Sequence, residues 1–219
     1  MLDLVPGAAL GPESAILLIG AHCDDIEIGC GATVLSLVER YPHAAFHWVV
    51  LSSNEARAEE ARRAATEFLR GADRVDVTIE SFRDGFLPYE GGKVKDCFEL
   101  LKARVQPDVI FTHYRDDAHQ DHRLACELTW NTFRDHFILE YEVPKYDGDL
   151  GSPNVFVDAP EPAVREKIRI LEDCYGSQHG RTWFDERTFR ALLRLRGVEA
   201  NAPSGLAEAF YCRKARLAI

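Results

Sequence analysis

His22, Asp24 and Asp25 stand together in the stretch 15–33, AILLIGAHCDDIEIGCGAT, and a second polar run, HYRDDAHQDHR at 113–123, is dominated by His, Asp and Arg. Imidazole nitrogen and carboxylate oxygen are donors that zinc accepts, and a catalytic zinc site takes three of them and leaves a position for water. His22 and Asp25, three residues apart, could hold one such ion, and either His119 or His122 could complete the set from the second run. Asp24, next to a ligand, would then be placed to take a proton from water that the metal makes more acidic. HCDD on its own reads more simply as a helix start whose carboxylates satisfy free backbone amides. Two His/Asp runs, each just beyond an apolar run of strand length, favour the metal reading. His43, His47, His136 and His179 lack that context and read as surface or satisfied interior residues.

The elements that must position these residues follow from the apolar pattern. The run 15–21 has the length of a buried parallel strand and is too short to cross a membrane. In an open α/β sheet, ligands bind at the carboxyl ends of strands, where both polar runs begin. The glycines at 29 and 31 flank Cys30, where the chain is expected to turn into a helix over 32–39. A second strand is expected over 45–51, ending in Ser52, Ser53 and Asn54, and a helix over 55–70, stopped by Gly71. Val and Thr alternate with acidic residues over 75–79, which suits a short strand near a sheet edge. A loop at 81–92 carries Pro88 and three glycines, a helix follows over 94–105, and Gln106-Pro107-Asp108 breaks it before a strand over 109–112. After the second polar run comes a helix bearing Leu124, Ala125, Leu128, Trp130 and Phe133. Late strands are expected at 137–143, 155–157 and 209–213, and helices at 162–174 and 182–195. This alternation predicts an α/β fold, a Rossmann-like and mainly parallel sheet with helices on both faces, in a single domain over 1–219.

Composition bounds the partners. With 28% charged and 46% hydrophobic residues, the 219-residue chain reads as an ordinary soluble globular protein. A net charge of −10 argues against a nucleic-acid or anionic-membrane partner while leaving room for a local basic pocket. No Lys or Arg precedes Arg40, so the amino terminus lacks the basic region of a secretory signal, and no transmembrane segment is expected. The six cysteines are scattered with no CxxC pair, as expected for reduced thiols, and a cytoplasmic protein is the expectation.

AHCDDIEIGCGAT resembles the AHPDDxEIGCGGT signature of the PIG-L/LmbE-like zinc-dependent N-acetylglucosaminyl deacetylases, and DDAHQDH resembles their DxHxDH signature. Arg57 and Glu60 fit the RxxE helix of that family, residues 175–178 its YxSQ segment and GLAEAF its closing element. The resemblance implies hydrolysis of an N-acetyl or other N-acyl group from a glucosamine-type amino sugar or its conjugate. It implies Zn2+ as cofactor, with Fe2+ as the alternative, held by His22, Asp25 and His122. Asp24 would be the general base, and His119 a second catalytic group that stabilises the oxyanion or protonates the leaving amine. Asp117 and Asp121 would orient the two imidazoles of the second run. Arg57 would bind substrate hydroxyls or a phosphate, the plainer alternative being an ion pair with Glu60 one helical turn on. Cys23 stands where the family usually has Pro, and Ala32 where it has Gly; Cys23 is expected to point away from the ligands. Two other readings stay open: a zinc amidase acting on another small N-acyl metabolite, and a catalytically silent sugar-binding protein of the same fold. A dinucleotide-dependent oxidoreductase would need GxGxxG, which is absent. Substrate choice is expected in the loops 81–92, 141–153 and 177–183, and homo-oligomerisation is left open.

Overall fold

Residues 16–19 are wholly buried, so neither face of the strand they form meets water. An apolar run of this kind is satisfied only by a strand on each side and a layer over each face. In the computed structural model, which describes residues 10–216, it is β1 (Ala15–Gly20), paired in parallel with β2 (Ala45–Ser52) and β4 (Val109–His113). The amino terminus read for a leader lies, as far as residue 9, outside the described residues. The sheet continues through β3 (Arg74–Phe82), β5 (Phe137–Tyr141), β6 (Val155–Asp158) and β7 (Ala207–Tyr211) in the order β3-β2-β1-β4-β5-β7-β6. All pairings are parallel except those of β7, which runs antiparallel to both β5 and β6.

Alternate residues of the central strands feed two cores, as the two-residue period of a strand requires. Ile16, Leu18, Phe46, Trp48 and Val50 pack toward α1 (Asp25–Arg40), α2 (Glu55–Phe68) and α5 (Glu161–Cys174). Leu17, Ile19, Val49 and Leu51 pack toward α3 (Gly91–Arg104) and α4 (Gln120–Thr132). The last helix, α6 (Glu186–Ala200), joins the first layer beside α5 and β7. The α/β class, the mainly parallel sheet and the helices on both faces therefore agree with the sequence pattern. No described helix is long and apolar enough to cross a membrane.

This order creates the place for a site. β2 lies on one side of β1 and β4 on the other, and the chain leaves β1 for α1 on one face but leaves β4 for α4 on the opposite face. A crevice opens where connections diverge in this way, at the carboxyl ends of the two strands. The two His/Asp runs sit on its two sides.

The largest departure from the sequence expectation is α1. It starts at Asp25, seven residues before the expected helix over 32–39, and passes through a break at Cys30, whose φ of −143° is not helical. Gly29 and Gly31 serve close packing instead of a turn: a Cβ at 29 would lie 2.1 Å from the Tyr141 ring, and one at 31 would lie 2.8 Å from Phe68. The break exposes backbone groups that a continuous helix would pair internally. A buried ion pair takes them up. Lys167 Nζ donates to the Ile28 carbonyl at 2.6 Å and to Glu208 Oε1 at 2.7 Å, while the Glu208 carboxylate accepts from the amides of Ala32 and Thr33 at 2.9 and 2.7 Å. Other differences are smaller. α6 begins at Glu186, four residues after the expected 182, because the Asp185 side chain caps it by accepting from the Arg187 amide. The loop expected over 81–92 is shortened at both ends by β3 and α3 and contains a 3₁₀ turn at Leu87–Glu90.

Removing one member of a buried, hydrogen-bonded ion pair leaves the other charge uncompensated. Lys167→Met is expected to lower stability by about 3–5 kcal/mol in urea unfolding followed by circular dichroism. A loss below about 1 kcal/mol would show that the Ala32 and Thr33 amides alone sustain the Glu208 charge.

Candidate active site

The turn after β1 and the start of α4 bring three donors together across the crevice. His22 Nδ1 lies 3.1 Å from His122 Nε2 and 3.3 Å from Asp25 Oδ2, and His122 Nε2 lies 3.5 Å from Asp25 Oδ1. Ligand atoms at the corners of a tetrahedron with bonds of ~2.0–2.1 Å stand ~3.3–3.4 Å apart, so these spacings fit a small divalent ion. Each position has a local cause. The Asp25 carboxylate also accepts from the His22 amide at 2.6 Å, which closes the turn and fixes ligand against ligand. His122 sits in the first turn of α4 and is buried.

The hydrogen bonds around the two imidazoles decide which nitrogens carry lone pairs. His122 Nδ1 faces Asp117 Oδ2 at 2.9 Å, a contact that holds the proton on Nδ1 and leaves Nε2 as the acceptor. His22 Nε2 lies 3.2 Å from both Asp121 Oδ2 and Asp84 Oδ1, which in the neutral ring holds the proton there and turns the lone pair of Nδ1 inward. Two lone pairs and a carboxylate thus converge within 3.5 Å, an arrangement that repels itself unless a positive charge joins it. Titration reflects the same demand. Burial alone would lower the pKa of His22, but the Asp25 charge and the carboxylates of Asp121 and Asp84 raise it well above the ordinary histidine value. Burial would raise the pKa of Asp25, yet His122, His113 and His22 hold it well below the usual carboxylate range.

Asp24 is buried beside this cluster without joining it. Its Oδ1 accepts from Arg57 Nη2 at 2.9 Å, and its Oδ2 has no hydrogen-bond partner. Burial raises the Asp24 pKa against the opposing Arg57 charge. Behind Asp24, the RxxE and YxSQ segments lock together: Glu60 accepts from the Ser177 amide at 2.8 Å and from the Ser177 hydroxyl at 2.6 Å. Tyr175 donates to the Cys23 carbonyl, and Glu27, whose carboxyl burial pushes well above its usual range, meets the same phenol oxygen. Arg57 therefore makes its close charge contact with Asp24, while Glu60 Oε2 lies 3.7 Å from its Nε. Cys23 faces the core, its thiol donating to the Ser52 carbonyl at 3.5 Å, and burial pushes its pKa up to about 12.

His119 caps α4, and its ring centroid lies 4.9 Å from that of His22 and 4.7 Å from that of His122. Its Nδ1 accepts from the Asp121 amide at 3.2 Å, so the neutral ring carries its proton on Nε2. Asp117 meets one imidazole of its own run, His122. Asp121 instead meets His22 and accepts from the amides of Gly85 and Leu87 at 2.7 and 3.1 Å, which draws the 81–92 loop over the crevice. Sequence reasoning passed over His113, the last residue of β4, whose Nε2 stands 3.1 Å from Asp25 Oδ2 and whose ring stacks on His122 at 3.9 Å. It also passed over Asp84 and Lys145, the latter 2.9 Å from Asp117 Oδ2. Among the described residues, three overlapping sets have donors within 4.8 Å of one another: His22, His119 and His122; Asp25, His113 and His122; and His22, Asp84 and Asp121. They share members and form one pool of ligands.

Comparison with known proteins places this geometry. The chain matches the family model PIG-L, GlcNAc-PI de-N-acetylase, over residues 17–133, a span that includes both His/Asp runs. It is 26% identical over 184 residues to a protein of Escherichia coli (strain K12) named uncharacterized deacetylase YaiS, covering 78% of this chain and 96% of that one. The structure of GalB, the 4-carboxy-2-hydroxymuconate hydratase from Pseudomonas putida KT2440, superposes with a TM-score of 0.76 at 18% identity, covering 94% of this chain and 98% of that one. N,N'-diacetylchitobiose deacetylase from Pyrococcus horikoshii superposes with a TM-score of 0.67 at 20% identity, covering 91% and 83%. At such identities the two structures share the fold with this chain. The sequence match extends over more than half of the chain and takes in both sides of the crevice, so the chain belongs to the PIG-L, GlcNAc-PI de-N-acetylase, family.

Proposed function

We propose that this chain is a metal-dependent N-deacetylase that hydrolyses the acetamide of a glucosamine-type amino sugar or its conjugate to acetate and the free amine. The observation that carries the reading is the convergence of His22 Nδ1, His122 Nε2 and the Asp25 carboxylate, lone pairs inward, at the switch point of the sheet. These three residues would hold the ion, and the nitrogen and oxygen donors suit Zn2+, with Fe2+ as the alternative. A divalent ion there supplies positive charge to the acetamide carbonyl oxygen and to water.

The other residues divide the proton work. Asp24 receives the proton of the attacking water at Oδ2, the oxygen that has no partner, while Arg57 holds Oδ1. Arg57 is thus a positioning residue for the base in this reading, ahead of the substrate-binding role that the family resemblance implies. His119 offers Nε2–H to the carbonyl oxygen as it gains charge and then to the departing nitrogen. Asp117 keeps the His122 proton on Nδ1, and Asp121 does the same for His22 at Nε2. The likeness to the GalB hydratase supports a second reading, addition of water to an unsaturated acid on the same scaffold.

Purified protein is expected to contain one divalent ion per chain and to release acetate from N-acetylglucosamine or one of its conjugates. Asp24→Asn should retain the ion and lose about 10²–10⁴-fold in turnover, whereas His122→Ala should lose the ion. Turnover by Asp24→Asn at the parental rate would remove Asp24 as the base. Hydration of a muconate-type acid with no acetate release from any N-acetyl sugar would favour the second reading. Asp117→Asn should weaken metal affinity by about 10–100-fold, measured by competition with a chromogenic chelator.

A further inference from the structure

The outer part of α4 borders a cleft of about 680 Å³ whose lining includes neither His22 nor His122 and whose charge contradicts that of the chain as a whole. Five cations line it, namely Arg115 from the turn after β4, Arg123 and Arg134 from α4 and the turn after it, and Arg213 and Lys214 from the segment after β7. Glu127 is the carboxylate among the lining residues, in a protein with 36 acidic and 26 basic side chains. Trp130 gathers the cations: Arg115 Cζ, Arg213 Cζ and Lys214 Nζ lie 5.7, 5.2 and 5.8 Å from its ring centroid. Such contacts are attractive, but they do not cancel the repulsion among the cations themselves.

The carboxylate beneath them is already engaged. Glu140 is buried and accepts from Trp130 Nε1 at 2.6 Å, from the Arg115 amide at 3.0 Å and from Arg115 Nε at 3.4 Å. Arg123 donates to the carbonyls of Asp117 and Ala118, and Lys214 to that of Arg134. Among the described residues, Arg123, Arg134, Arg213 and Lys214 have no carboxylate at ion-pair distance. Arg57, Arg169, Arg190 and Arg196, in contrast, are each bound to at least one. Among the described residues the cleft thus gathers four cations that no carboxylate pairs, a charge that suits a phosphate chain, whose oxygens accept several charge-assisted bonds at once.

We propose that this cleft is a second binding site of the protein, taking a diphosphate group either free or carried by a nucleotide. The site is separate from the His22–His122 centre, and the inference is independent of the deacetylase reading. The test is calorimetric titration of inorganic pyrophosphate and of adenosine diphosphate, with indole emission followed in parallel. Pyrophosphate also binds divalent ions, so the titrations are repeated on chelator-treated protein and on His122→Ala. Saturable binding of one ligand per chain is expected, unchanged by either treatment and weakened by salt. Arg134→Ala/Arg213→Ala, which removes two exposed side chains, should weaken binding by at least about tenfold with no change in the thermal melt. Tighter binding of the nucleotide assigns the diphosphate to a nucleotide carrier, and equal binding assigns it to the diphosphate alone. Absence of binding by both ligands, a double variant that binds as the parent does, or binding that disappears with chelator or His122→Ala would overturn the proposal.

Discussion

Two imidazole nitrogens and a carboxylate that face one another across about 3 Å call for a positive charge among them, an ion or a proton on His22, and for groups that keep them turned inward. In this protein the restraint comes from outside the cluster. Asp117 grips His122 from behind, Asp121 and Asp84 grip His22 from its far side, and the His22 amide fixes Asp25 by its Oδ2, so that each group of the cluster is held by a hydrogen bond. The sheet makes this possible because β1 and β4 are adjacent, yet send their chains to opposite faces. The cluster is preorganised for positive charge and unfavourable without it, which ties local stability and chemistry to the same few contacts.

A second layer fixes the groups that do not touch the cluster. The Glu60–Ser177 pair and the Tyr175 phenol brace the backbone around Cys23, and Arg57 braces Asp24 from the side of α2. Asp24 is left with one oxygen engaged and one free, buried where a carboxylate is more basic than in water. Packing contributes beside charge, since Cys23 turns its sulfur into the core, where the thiol meets the Ser52 carbonyl of β2.

Much of this arrangement was legible in the chain itself. The strands are short apolar runs with polar ends, and their alternation with helices fixes the class of fold and the edge at which His22, Asp25 and His122 meet. Reading stopped where contacts are remote in sequence. Gly29 and Gly31 look like a turn, and only the Tyr141 and Phe68 rings, brought in by the tertiary fold, show that they are places of close approach inside a helix. His113 looks like the last residue of an apolar strand, because its contact with Asp25, at the start of α1, depends on β1 and β4 lying side by side. Asp121 sits one residue from His122 and two from His119, and the resemblance to the DxHxDH signature assigned it to them. The imidazole it meets is that of His22, 99 positions earlier. Arg57 could be placed on a helix with Glu60, but its closer partner, Asp24, lies on another element.

The break in α1 has a consequence for biosynthesis. The helix that carries Asp25 is completed by Glu208, whose bond to the Ala32 amide spans 176 positions of sequence. On a ribosome the first βα unit emerges long before that glutamate exists, and until it arrives the amides of Ala32 and Thr33 and the carbonyl of Ile28 have only water or chaperones to satisfy them. The helix that carries Asp25, though made early, is therefore completed only when β7 has docked, and nascent chains cannot present the assembled His/Asp cluster before then.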